Sequence, residues 1–257
     1  METFRKYCIS IAGLDSSGGA GLLADIKTLE QFHVHGLGVC TAITYQNENK
    51  IEKIDWLSTD QIIHQLKVLF DLYNPVVAKI GIVRNAEMLN DIIKFLQARN
   101  KKISIVWDPI IKSSSGYDFH SAKIDWLSSI KNIFLITPNI SEAKMLTGIN
   151  DEGKAALYLS KFCNVLLKGG HSISDRSDDL LFINEKAIAI PGDRMNHTKH
   201  GTGCVLSSAI AANLALEKKL IESCKLAKEY VTKFILSDNG LLGWHHSFKI
   251  NEYGFEA

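Results

Sequence analysis

Short, almost continuously apolar runs recur along the chain: YCISIAG from Tyr7, GVCTAITYQ from Gly38, PVVAKIGIV from Pro75, ISIVWDPII from Ile103, IFLITPN from Ile133 and CNVLLKGG from Cys163. Runs of this length without polar alternation suit strands covered on both faces, as in the parallel sheet of an α/β protein. Segments of helical periodicity lie between them: Gly21 to Phe32, Thr59 to Leu72, Asn85 to Ala98, Glu152 to Phe162, Gly203 to Leu216 and Ile221 to Ser237. In TDQIIHQLKVLFDLY the apolar residues Ile62, Leu66, Leu69 and Tyr73 share one helical face, with Thr59 available as N-cap. No repeat, low-complexity tract or Pro/Ser-rich linker divides the chain, so the pattern predicts a single α/β domain over residues 1–257. Ligands of such sheets gather beyond the carboxyl ends of the strands, which makes the residues closing each run the first candidates for chemistry.

Composition narrows the function mainly by exclusion. Lys+Arg 29 against Asp+Glu 28 leaves a net charge of +1, and no run of five like charges occurs. Neither nucleic acid nor a membrane surface is therefore an expected partner. The apolar run near the N-terminus is broken at Asp15 with no small-residue cleavage site after it, so no signal peptide is read and a cytoplasmic location is expected. The five cysteines, Cys8, Cys40, Cys163, Cys204 and Cys224, lack zinc spacing. Four lie in apolar stretches and read as small buried hydrophobes; Cys204 differs.

The residues that close the strands carry the chemistry. After the first run, GLDSSGGAGLLADIKTL sets Gly18, Gly19 and Gly21 before a helix. GAGLLA fits a dinucleotide fingerprint, but it lies beyond Asp15 instead of directly after the strand, and no Walker A motif occurs. Gln46 closes the second run, as a ligand or as a solvated loop amide. Asp108, before Pro109, closes the fourth; a carboxylate leaving a buried strand is costly unless paired or metal-bound. Asn139 and Glu142 follow the fifth, spaced like a capping box, yet with Asp108 they also form an oxygen set suited to Mg²⁺. Lys168 ends the sixth, where its charge could meet a phosphate. Finally, in HTKHGTGCVLSSAIAA the amides of Gly201 to Cys204 can point together from a helix start. Such a nest stabilises developing negative charge and suits phosphoryl transfer. The helix field is expected to depress the Cys204 pKa so that the thiolate accepts an alcohol's proton. A tight turn with a packing cysteine is the plain alternative.

Taken in order, ISIAGLDSSGGAGLLADIKTL, TAITYQN, AKIGIV, VWDPII, TPNISEA, VLLKGGH and HGTGCVLSSAIAA resemble the motifs of the hydroxymethylpyrimidine/phosphomethylpyrimidine kinases of thiamin biosynthesis, in the ribokinase-like superfamily. The resemblance implies a central, mostly parallel sheet flanked by helices on both faces. It implies ATP- and Mg²⁺-dependent phosphorylation of 4-amino-5-hydroxymethyl-2-methylpyrimidine, and of its monophosphate to the diphosphate. Carried over, Gly201, Thr202 and Gly203 form the anion hole, and Cys204 stands where sugar kinases of the superfamily carry an aspartate base. Asp108 and Glu142 map to the metal, Lys168, Asn139 and Thr198 to the nucleotide, and Gln46, Gly13, Asp25 and Ile82 to the pyrimidine pocket. A homodimer is expected. Gln46 has its own rationale, because a carboxamide answers an amino donor and a ring-nitrogen acceptor at once. Three departures stand out: Ile82 replaces a common Met, Ser114 occupies a lid position, and Thr198 and Lys199 replace an Asn-Thr pair. Competing readings are a pyridoxal or pyridoxine kinase, a thiol hydrolase using Cys204 with His200 or His171, and a ligand-binding relative without turnover.

Overall fold

Strand and helix alternate as the apolar pattern requires. The computed structural model describes residues 5–111, 119, 126–169 and 176–246. The chain runs β1 (Tyr7–Asp15), α1 (Gly21–Gln31), β2 (His35–Gln46), β3 (Ile51–Trp56), α2 (Thr59–Phe70), β4 (Val77–Ile80), α3 (Ala86–Arg99) and β5 (Ser104–Trp107). It continues with α4 (Leu127–Ile130), β6 (Leu135–Ile136), α5 (Ile140–Thr147), α6 (Glu152–Leu159), β7 (Asn164–Leu167), β8 (Asp179–Ile183), β9 (Lys186–Ile190), α7 (Thr202–Ala215) and α8 (Leu220–Ile235).

The strands form one sheet in the order β3-β2-β1-β4-β5-β6-β7-β8-β9. The six strands from β2 to β7 in that order are parallel, and β3, β8 and β9 pair antiparallel at the two edges. Successive strand residues feed opposite faces, which is why the runs are apolar throughout. Ile9, Ala78, Ile105, Ile136 and Val165 join a cluster with α2, α3, α5 and α6, while Cys8, Val77, Val106, Leu135 and Leu166 join the cluster with α1, α7 and α8. Helices thus cover both faces, as the ribokinase-like expectation required. Helix α7 is buried on nearly every side from Cys204 to Asn213. Its run of Ala and Ser lets it pack close to α1, α8 and the sheet.

The antiparallel edges were not legible in the apolar runs: β3 and β9 are largely exposed or half-buried, and β8, though mostly buried, offers only the short run Leu180 to Ile183. One signal was present: Asn184 and Glu185, with φ of 48° and 63°, make the left-handed two-residue turn that joins tightly paired strands. At α2 the N-cap is Ser58, not Thr59, in a capping box with Gln61. The Asn139–Glu142 capping box forms as spaced.

Candidate active site

Parallel strands deliver their last residues to one edge. Asp108 follows β5, with its amide donating to the Ile80 carbonyl. Lys168 follows β7 and bridges Asn139, which follows β6. Lys168 Nζ lies 2.8 Å from Asp108 Oδ1 and 3.6 Å from Glu142 Oε2. Thr137 Oγ1 also donates to Asp108 Oδ1 at 3.1 Å. Asp108 Oδ2 is buried and has no hydrogen-bond partner among the described residues. Burial pushes the Glu142 carboxyl up to about 7, Lys168 opposes the rise and Asp108 adds to it. Burial acts against the Lys168 charge, but Asp108 and Glu142 outweigh it and raise its pKa. Behind Lys168, the Gly169 amide donates to Asp179 Oδ1 at 2.8 Å, and Lys228 of α8 sits 2.9 Å from the same oxygen. The edge hairpin therefore anchors the turn that carries Lys168.

The start of α7 faces this cluster. Gly201 is its N-cap, left-handed at φ 78°, with no side-chain cap and no acidic residue in the first turn. The amides of Thr202, Gly203 and Cys204 are thus left for an outside acceptor. A Cβ on Gly203 would sit 3.4 Å from Asp108 Oδ2 and 3.5 Å from Lys168 Nζ, while one on Gly201 would overlap the Gly19 carbonyl oxygen. Only glycine permits the approach at Gly201, while Gly203 sets the helix start within van der Waals reach of Asp108 and Lys168. The two glycine turns are joined by Asp15, buried at the end of β1. It accepts from the amides of Ser17 and Ala20 at 2.9 Å each, and its Oδ2 lies 2.8 Å from His200 Nε2. Burial works against the Asp15 charge, but His200 and Ser17 outweigh it and hold the carboxyl below its ordinary range.

Two expectations are corrected here. Cys204 does not have a depressed pKa: the thiol is 5% exposed, and burial pushes it up to about 11. Lys79 pulls the value down, but Asp25 and Asp108 push it up again, so the helix start does not yield a standing thiolate. Asp25 does not line a pocket either. It is fully buried, with Oδ1 and Oδ2 at 2.9 and 2.7 Å from Lys79 Nζ. Ser208 Oγ donates to Oδ1 at 2.8 Å and Ser10 Oγ to Oδ2 at 2.6 Å. The pair lies between β1, β4 and α7, beneath the site rather than in it.

Of the other pocket candidates, Gly13 and Ile82 are brought together: a Cβ on Gly13 would overlap the Ile82 side chain. Gly13 falls at the register shift of β1 against β2. Gln46 closes β2 at a second irregularity, half-buried, beyond Asp15 of the adjacent strand. Thr198 is exposed before the anion turn. Ser114 and His171 lie outside the described residues. Sequence reasoning missed Asp15 and Lys79, and set His200 only beside Cys204 in the thiol-hydrolase reading. Asp15 closes the first apolar run, the position already used to select Asp108, and could have been found on that ground.

A family model described as phosphomethylpyrimidine kinase matches residues 15–248. The hydroxymethylpyrimidine/phosphomethylpyrimidine kinase of Aquifex aeolicus is 35% identical over 244 residues, covering 91% of this chain and 95% of the relative. A solved phosphomethylpyrimidine kinase of Clostridium difficile 630 superimposes with a TM-score of 0.75 at 32% identity, over 89% of this chain and 99% of the other. The pyridoxal kinase of Staphylococcus aureus in complex with ADP superimposes with a TM-score of 0.81 at 26% identity, over 95% and 93% of the two chains. With a family model matched over residues 15–248 and a relative 35% identical along nearly its whole length, the chain belongs to the phosphomethylpyrimidine kinase family and is a kinase.

Proposed function

We propose that the chain transfers the γ-phosphoryl group of ATP to the hydroxymethyl oxygen of 4-amino-5-hydroxymethyl-2-methylpyrimidine, and a second phosphoryl group to the resulting monophosphate. The observation that carries this reading is the meeting of Lys168, Asp108 and the uncapped amides of α7 at Gly203. Phosphoryl transfer asks a protein chiefly for positioning and for charge against the phosphoryl oxygens. The amides of Thr202, Gly203 and Cys204 and the Lys168 ammonium supply that charge. The acceptor oxygen attacks phosphorus, the bond to the ADP oxygen breaks, and the acceptor's proton passes to solvent. Asn139 and Thr198 belong on the nucleotide side of the site.

Asp108 and Glu142 fit Mg²⁺, since one buried carboxylate oxygen has no partner among the described residues and a second carboxylate lies across the same lysine. When bound, the ion neutralises phosphate charge and helps orient the nucleotide. Gln46 is proposed to read the aminopyrimidine edge, with Gly13 and Ile82 against the ring. Asp25 acts from beneath, through Lys79. Cys204 lines the acceptor end as a thiol, with Lys79 the charge that eases its ionisation.

A pyridoxal kinase is the second reading, supported by the likeness to the Staphylococcus aureus enzyme. Incubation with ATP, Mg²⁺ and each vitamin, read by mass spectrometry, separates the two: mono- and diphosphate of the pyrimidine are expected, and product from pyridoxal alone overturns the first. The continuous sheet supports one domain over residues 1–257. No helix among the described residues is long and apolar enough to cross a membrane, which accords with the proposed cytoplasmic location. A homodimer is proposed through the outer face of β2, where Ile43 and Tyr45 are exposed; sedimentation at the monomer mass would refute it.

A further inference from the structure

Lys199 has no part in the site described so far, yet its side chain is wholly buried. A buried ammonium is costly unless its donors are satisfied. Lys199 satisfies them on one segment: Nζ donates to the Asp238 carbonyl at 2.8 Å, to Asp238 Oδ1 at 2.6 Å and to the Gly240 carbonyl. The Gly240 amide returns a bond to Asp238 Oδ1 at 2.7 Å, which closes the turn around the ammonium. The next amide along, that of His200, donates to the Leu241 carbonyl at 2.8 Å. Leu242 then packs on Gly19 beside the His200 ring. The segment after α8 is thereby fastened to the two residues before Gly201, and through Leu242 to the glycine turn before α1.

We propose that Lys199 is a positioning residue for phosphoryl transfer. Its ammonium fixes the 238–242 segment as a brace behind the anion turn, and the brace keeps the Thr202 to Cys204 amides aligned with Lys168 and Asp108. Lys199 touches no reacting group. Misalignment at this turn weakens interactions made in the transition state more than those made with the bound acceptor, so the loss falls on kcat. The inference rests on reading the start of α7 as the anion hole.

The test is steady-state kinetics with ATP and the hydroxymethylpyrimidine on Lys199→Met, Asp238→Ala, the double variant and Gly201→Ala, each with its melting temperature measured. Lys199→Met is expected to lower kcat about tenfold or more, with KM for the pyrimidine within about twofold. Asp238→Ala, which leaves both carbonyl acceptors in place, is expected to lower kcat about threefold, and the double variant to be no worse than Lys199→Met. If Lys199→Met is insoluble, Asp238→Ala decides. A folded variant that keeps kcat within twofold, or loses only thermal stability, overturns the proposal. Gly201→Ala, whose Cβ would overlap the Gly19 carbonyl oxygen, displaces the turn itself and separates the two ideas: its full activity would refute the anion hole, whereas its inactivity beside an unaffected Lys199→Met refutes the brace alone.

Discussion

Lys168 holds Asp108 by one oxygen only: its ammonium sits 2.8 Å from Oδ1, while Oδ2, turned toward Gly203, has no partner among the described residues. A buried carboxylate half satisfied in this way is set up for a ligand, because an unmet charged acceptor is costly to keep. Asp108→Asn keeps the shape and removes the charge. Its kcat is expected to fall about 100-fold or more, while thermal stability is held or raised. Activity within a few-fold of the parent in a phosphorylation assay would remove Asp108 from the site.

The Asp25–Lys79 pair predicts a different phenotype. Both groups are fully buried and hydrogen-bonded to each other. Removing one strands the other, at a cost of about 3–5 kcal/mol. Lys79→Met should therefore lower the unfolding free energy by that order in denaturant titration, and adding Asp25→Asn should recover part of the loss. Additive losses would mean that the two side chains do not act as a pair.

At neutral pH, a thiol titrating near 11 is ionised in roughly one molecule in ten thousand. Cys204→Ala is accordingly expected to lose about tenfold or less in kcat, with the neutral part of its pH profile unchanged. General-base catalysis is worth about 10²–10⁴-fold. A loss of that size, with a limb near pH 7 that vanishes in the variant, would restore the thiolate base.

Glu142 sets a pH dependence of stability in the metal-free protein. Its carboxyl is raised from an ordinary 4.5 to about 7, so the folded state binds the proton more tightly than the unfolded chain. That contribution is complete below about pH 4.5 and is lost as pH rises through about 7. Chemical denaturation across this window should show stability falling with pH, and Glu142→Gln should flatten the slope. An unchanged slope would assign it elsewhere.

Gln46 tests specificity. Gln46→Met removes the amide pair while keeping length, and pyrimidine turnover is expected to fall at least tenfold more than any pyridoxal turnover. Equal losses in kcat/KM would refute its role as the reader of the ring.

Much of this was legible in the chain before folding. The buried parallel strands declare themselves because a strand covered on both faces must be apolar at every position. The strand ends then single out Gln46, Asp108, Asn139 and Lys168 by topology alone. Glu142 was readable from its spacing to Asn139, since a capping box is a local device. The edge strands were not, because β3 mixes charged and apolar residues, the apolar runs of β8 and β9 are only four residues long, and their register depends on a partner.

Local pattern by itself determined the layered α/β fold, the order of the strand-end residues and the glycine turn at Gly201. Tertiary structure decided everything that depends on what lies opposite. Helical position argued for an ionised Cys204, but packing against α1 and the sheet buries the thiol, and desolvation outweighs the field of a helix start. Sequence set Asp25 among candidate ligands, but the distant Lys79 claims both its oxygens. Lys199 stood as an unexplained departure until the segment after α8 closed around it. Burial and partnership belong to pairs of residues far apart in the chain, and only the folded arrangement brings those pairs together.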